Sequence, residues 1–119
     1  MVPSVLIVDD HAGFRSFARK LFEADGFRVL EASDGLEAMT SVASFGPLLV
    51  LLDIQMPGLS GFEIARRLAD DGRGPVVILT SAHDAADYGE RLTSAPVAGF
   101  VPKSELSGKA LREFLDASA

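Results

Sequence analysis

Cysteine is absent from the 119 residues, which removes disulfides, thiol nucleophiles and zinc–thiolate sites from consideration. No apolar stretch is long enough to span a bilayer. The start of the chain has neither the basic region nor the cleavage pattern of a secretory signal, so the cytoplasm is the expected compartment. Positive charge is scarce as well: eleven Lys and Arg stand against seventeen Asp and Glu, for a net charge of −6 and no basic run or stripe. A surface of that sign repels phosphate backbones, so no direct contact with nucleic acid is expected, and none with a membrane. Low-complexity tracts and linkers are missing too. The length suits one domain with a real core rather than two, taken as residues 1–119.

What is present is organised around Pro47–Gly58. Five consecutive apolar residues, Leu48–Leu52, run into Asp53, and Pro57-Gly58 follows within a few residues. An unbroken apolar run bounded by turn residues predicts a strand buried on both faces. Pro57 presets one turn dihedral and Gly58 supplies the positive φ of a type II turn. Asp53 thus sits at the C-terminal end of a central strand, where open α/β sheets place their ligands. Val5–Val8 repeats the design and ends in Asp9-Asp10. If those strands are neighbours, three carboxylates meet at one rim, and either a pKa rises or a cation sits among them. An all-oxygen ligand set open to solvent favours Mg²⁺ over zinc.

Strand-like and helix-like patterns alternate throughout. The strands are predicted at Ser4–Val8, Phe27–Glu31, the Asp53 stretch, Pro75–Thr80 and Val97–Val101. Between the first two, a helix from about His11 to Ala24 carries Phe14, Phe17, Ala18, Leu21 and Phe22 at the spacing of one apolar stripe, and its phenylalanines are expected in the core. Asp25-Gly26 closes it. Asp34 with Glu37 and Ser60 with Glu63 read as capping boxes. The first of these opens a helix carrying Leu36, Met39, Val42 and Ala43. The second opens one carrying Ile64, Ala65 and Leu68 and ending at Asp71-Gly72. A weaker helix spans about Asp84 to Thr93, with Gly89 lowering its propensity and Tyr88 and Leu92 as its large anchors. The last helix carries Leu106, Leu111, Phe114 and Leu115, with Glu105 and Lys109 at the favourable i, i+4 spacing. Five βα units with short loops imply an α/β fold: a doubly wound, five-stranded parallel sheet flanked by five helices. Periodicity alone does not give the strand order; an order of 2-1-3-4-5 would set strands one and three side by side and bring Asp9, Asp10 and Asp53 together.

Five features coincide at strand ends: Asp9-Asp10, Asp53, the Met56-Pro57-Gly58 turn, Thr80 and Lys103. From Val5 to the last helix the chain resembles the receiver domains of bacterial two-component response regulators, which have the flavodoxin-like form of this fold. Its ending after the fifth helix resembles stand-alone members. The resemblance implies that Asp53 accepts a phosphoryl group from a sensor histidine kinase or phosphotransfer protein. It further implies Mg²⁺ bound by Asp10, Asp53 and the backbone carbonyl of Gln55, with Asp9 acting through a water. Lys103 and the Thr80 hydroxyl would contact the phosphoryl oxygens. The hydroxyl role is shared in principle with Ser81, though the spacing from Pro75 favours Thr80. Phe100, three residues before the lysine, would be the switch aromatic, and lacking a hydroxyl it should bury more cheaply than the commoner tyrosine. The family's response face, helix four with strand five and helix five, would meet an effector, and the protein would be a monomer or a phosphorylation-dependent dimer.

Gln55 and Ala82 fall where the family tunes hydrolysis. Ala82 has no group to position water, so self-dephosphorylation is expected to be slow. The family lysine is usually followed by proline, whereas here Ser104 follows and Pro102 precedes. A Mg²⁺-dependent phosphohydrolase with an Asp nucleophile is the enzymatic alternative, but its usual second Asp is replaced by Gln55, which cannot serve as the general acid. A pseudo-receiver that only binds partners is disfavoured because all five positions are filled. His11 and His83 are assigned no role.

Overall fold

The computed structural model describes residues 2–69 and 74–118. Its strands are β1 (Ser4–Val8), β2 (Arg28–Ala32), β3 (Leu49–Asp53), β4 (Val76–Ser81) and β5 (Gly99–Pro102), and its helices are α1 (Ala12–Ala24), α2 (Gly35–Phe45), α3 (Gly61–Leu68), α4 (Glu90–Thr93) and α5 (Gly108–Ser118). The strands form one parallel sheet in the order β2-β1-β3-β4-β5. The expected doubly wound topology is therefore present, with β1 and β3 adjacent and Val8 beside Leu52.

Side-chain alternation along the strands divides the core in two. Val5, Ile7, Leu49, Leu51, Ile78 and Val101 face α1 and α5, where they meet Phe22, Leu111 and Leu106. Leu6, Val8, Val50, Leu52, Val77 and Leu79 face the other helices, where they meet Ala38, Phe62 and Ile64. Every residue of β3 is buried, as its continuous apolar run predicts for a strand covered on both sides.

The caps hold the helix starts that frame the rim. The Asp34 carboxylate accepts the Glu37 N–H at 2.8 Å, while the return contact of Glu37 goes to the Ser33 N–H at 3.2 Å. Ser60 Oγ accepts the Glu63 N–H at 3.3 Å. The turn glycine behaves as the sequence requires, with Gly58 at φ 79°.

Four expectations need correction. Phe17 is 57% exposed, because the five-residue stripe of α1 is wider than the face that the sheet covers. Leu36 is 77% exposed, and α2 instead buries Gly35 and Ala38, small residues that let it pack close. Leu106 precedes α5 and Glu105 lies in a 3₁₀ turn, Lys103–Glu105, so the Glu105–Lys109 helical pair is not formed. The fourth helix is broken: a 3₁₀ turn at Ala85–Asp87 is separated from α4 by Gly89, whose φ of 55° with ψ of −130° no helix accommodates. The end predicted for α3 at Asp71-Gly72 lies outside the described residues.

Gly61 couples the fold to the rim. Its N–H donates to the Ile54 carbonyl at 3.0 Å, and a Cβ placed there would lie 2.5 Å from the Asp53 carbonyl oxygen and 2.8 Å from Ile54 Cα. Backbone atoms cannot swing aside as a flexible side chain would. Gly61→Ala should cost about 3 kcal/mol by overpacking, read as a lower urea midpoint at unchanged m-value.

Candidate functional site

The ends of β1, β3 and β5 bring four charged side chains to one rim. Asp9 follows the last residue of β1 and is fully buried. Its carboxylate accepts the His11 N–H at 2.8 Å on Oδ1 and the Lys103 ammonium at 2.7 Å on Oδ2. Lys103 Nζ also lies 3.8 Å from Asp53 Oδ1 and 4.2 Å from the centre of the Phe14 ring. Lys103 thus reaches across from the far strand to both carboxylates. Arg15 fixes the loop that carries Asp9, donating to the Asp9 carbonyl at 2.7 Å and to Glu31 at 3.0 Å.

Asp53 is 3% exposed. Burial, followed by the negative charge of Asp9, pushes its carboxyl up to about 6, against the opposing pull of Lys103 and of the Gln55 N–H at 3.4 Å. A carboxylate held at such a cost is one that a cation would relieve. Asp9, Asp10, His11 and Asp53 present ligand atoms that all lie within 4.8 Å of one another, so they are able to hold a metal ion. Asp10 Oδ1 is buried and, among the described residues, accepts no hydrogen bond. An orphaned carboxylate oxygen beside two others suits a hard divalent cation.

His11 is a neighbour of the site that sequence reasoning left without a role. It occupies the N-cap position of α1, and its Nδ1 lies 3.1 Å from Asp9 and 3.2 Å from Asp10. The signal was its adjacency to the acidic pair. His83 stands apart, 4.0 Å from Asp87 on the exposed loop after β4. Gln55 and Ala82 are both exposed at the rim.

Thr80 and Ser81 are each 1% exposed, but they serve opposite faces of the sheet. Thr80 pairs in register with Asp53 and follows Ile78 on the α1/α5 side, where its hydroxyl donates to the Val101 carbonyl at 2.7 Å. Ser81 follows Leu79 on the other side, and its hydroxyl is 2.6 Å from that of Tyr88. Phe100, beside Leu79 in register, packs in the same cluster as Tyr88. Every described peptide bond is trans, including the one after Lys103.

The sequence profile of the response regulator receiver domain matches residues 5–115. The chain belongs to that family. Among curated relatives, this receiver is 50% identical over 84 residues to the positive alginate biosynthesis regulatory protein of Pseudomonas aeruginosa, covering 68% of this chain and 34% of that protein. It is 36% identical over 83 residues to the DNA-binding response regulator MtrA of Mycobacterium tuberculosis, covering 70% and 36%. The chain spans about a quarter to a half of the length of the curated relatives it matches. Among solved structures, the receiver superposes on a LuxR-family DNA-binding response regulator of Staphylococcus aureus with a TM-score of 0.82 at 26% identity, covering 98% of each chain. The chemotaxis response regulator CheY4 of Vibrio cholerae shares the fold, with a TM-score of 0.83 at 19% identity over the whole of both chains. Among the described residues, no helix is long and apolar enough to cross a membrane.

Proposed function

We propose that Asp53 accepts a phosphoryl group from a phosphohistidine on a sensor kinase or phosphotransfer protein, in a Mg²⁺-dependent reaction. The observation that carries this reading is the Lys103 ammonium set between Asp9 and Asp53, 2.7 and 3.8 Å away. An ammonium at that position can follow charge from the carboxylate to the incoming phosphoryl oxygens. An Asp53 carboxylate oxygen attacks phosphorus, the P–N bond breaks, and the imidazole leaves with the bonding pair. Asp9, Asp10, Asp53 and the carbonyl of Gln55 would hold Mg²⁺, which supplies neutralisation between the two anions that must meet. A hydroxyl at the end of β4, from Thr80 or Ser81, completes the donors around the phosphoryl oxygens.

The protein on this reading is a phosphoacceptor that assists its own modification and not a turnover enzyme. Ala82 offers no group to orient a hydrolytic water, so the acyl phosphate persists long enough to signal through α4, β5 and α5 to an effector. Both donor and effector are proteins of the same cytoplasmic pathway.

Incubation with Mg²⁺ and a small phosphodonor, followed by intact mass measurement, tests the assignment. The expected result is a gain of one phosphoryl group that disappears in Asp53→Asn and on removal of Mg²⁺. A gain retained in Asp53→Asn, or steady release of phosphate from simple esters, would overturn it.

A further inference from the structure

The Lys103 ammonium has three partners at the rim, and they differ in what else can claim them. Asp9 Oδ2 lies 2.7 Å away and Asp53 Oδ1 3.8 Å away. Both carboxylates belong to the cluster able to hold a metal ion, and Asp53 is also the group that phosphoryl transfer would modify. The third partner is the face of the Phe14 ring, whose centre lies 4.2 Å from Nζ. A neutral aromatic face attracts an ammonium. It offers no oxygen ligand to a hard divalent cation and no proton to a phosphoryl group.

Local structure puts the ring there. The N-cap of α1, His11, donates its N–H to Asp9 Oδ1 at 2.8 Å, so the helix starts at the rim itself and Phe14 is its third residue. The ring is partly buried against the core between the sheet and α1 and α5, which limits its rotation. The next residue, Arg15, donates to the Asp9 carbonyl at 2.7 Å and to Glu31 at 3.0 Å, tying this turn of helix to the end of β1 and to β2. Ring and Asp9 are therefore held in one frame. Lys103 follows β5 in the turn Lys103–Glu105, with its side chain 20% exposed. Its flexible stem has other rotamers open toward solvent. A cation–π contact mostly screened from water is stronger than one on the open surface.

We propose that Phe14 is a positioning residue for the phosphoryl transfer, its ring face keeping the Lys103 ammonium at the rim when other charges claim Asp9 and Asp53. This rests on the phosphoacceptor reading of Asp53. In the metal-free protein the Asp9 carboxylate and the ring share the hold. Once a divalent cation shares the carboxylates, it repels the ammonium and weakens their attraction for it. The attraction of the ring persists, because nothing that binds at the rim neutralises it. Lys103 then stays ordered in the state from which transfer starts, and its stem is not immobilised anew at each encounter with a donor. Phe14 touches neither phosphorus nor the attacking oxygen and acts only through the lysine.

Site-specific replacement of Phe14 by mono-, di- and trifluorophenylalanine weakens the ring's quadrupole in steps at almost constant shape. Cyclohexylalanine keeps the apolar bulk without a π face. For each protein, the urea midpoint is measured without metal, and phosphoryl uptake from a small donor in Mg²⁺ is followed by intact mass. Midpoint and uptake rate are both expected to fall in the order of fluorine content, with uptake about threefold slower for the trifluoro ring and about fivefold slower for cyclohexylalanine. In Lys103→Met the same series should leave both flat, and Lys103→Gln serves as the background if the methionine variant does not fold. Midpoints indifferent to fluorine content, or falling equally without the lysine, would overturn the contact and make Phe14 a packing residue alone. Midpoints that follow fluorine content while uptake does not would overturn its part in the transfer. Absence of uptake by the unsubstituted protein would overturn the phosphoacceptor reading itself, and this proposal with it.

Discussion

Asp53→Asn raises the stability of the metal-free protein at about pH 7.5 by about 3 kcal/mol. The folded protein holds this carboxyl at about 6 rather than 3.8, chiefly through burial and then through the charge of Asp9. The sign follows from proton counting. Between those two values the native state binds the proton that the unfolded state has lost, so stability falls as pH rises through the window. Asparagine cannot ionise and avoids the loss. Its advantage is full above the folded value, falls to roughly half at about pH 5, and vanishes below 3.8, where the carboxyl is neutral in both states. Urea titrations across that range check the profile, and in thermal melts the neutral-pH difference should be roughly 10 °C. Added Mg²⁺ should narrow the gap by stabilising the wild type alone, through binding to the native state. Equal stabilities at neutral pH would mean that the buried carboxylate is not strained.

Lys103→Met has the opposite sign. The Asp9 carboxylate is fully buried, and the ammonium 2.7 Å away is its closest cationic partner. Removing one member of a buried pair leaves the other's charge uncompensated, with a typical cost of 3 to 5 kcal/mol; about 3 is expected here, because the His11 N–H at 2.8 Å still donates to Asp9. Losing the nearby cation also moves the Asp53 carboxyl further above about 6, so less of it is ionised at neutral pH. Phosphoryl uptake from a small donor should therefore slow at least tenfold, with recovery on raising the pH only as far as ionisation of Asp53 limits the rate. Lys103→Arg separates the two roles. A guanidinium can pair with Asp9 and recover stability, but its planar fork does not replace a mobile point charge between two carboxylates, so uptake stays slow. Denaturant midpoints and uptake rates on the same three proteins decide it.

The strands and the acidic rim were legible because each rests on an unbroken signal: apolar runs for β1, β3 and β4, and a carboxylate or lysine immediately after a run. The sheet order was not legible from periodicity; chemistry favoured an order that sets β1 beside β3, so that Asp9 and Asp53 share a rim. Which helix residues face inward was less legible. The stripe of α1 is wide enough that Phe17 matches it yet stays 57% exposed, and in α2 the small residues Gly35 and Ala38 are buried in place of Leu36. Thr80 and Ser81 could not be told apart by pattern. β4 is apolar toward both faces, so a period of two says that they differ without saying which lies beside Tyr88. Register with β3 and β5 supplies that, and register is a property of the assembled sheet.

The split at Gly89 reaches beyond secondary structure. Only Glu90–Thr93 form an α-helical turn there, preceded by the 3₁₀ turn Ala85–Asp87. So short a helix has almost no cooperative stability of its own and is held by the side chains beneath it. Redrawing this patch would sacrifice few main-chain bonds. An effector docking here would complete the ordering itself, and its apparent affinity would measure how often the patch already wears the bound form.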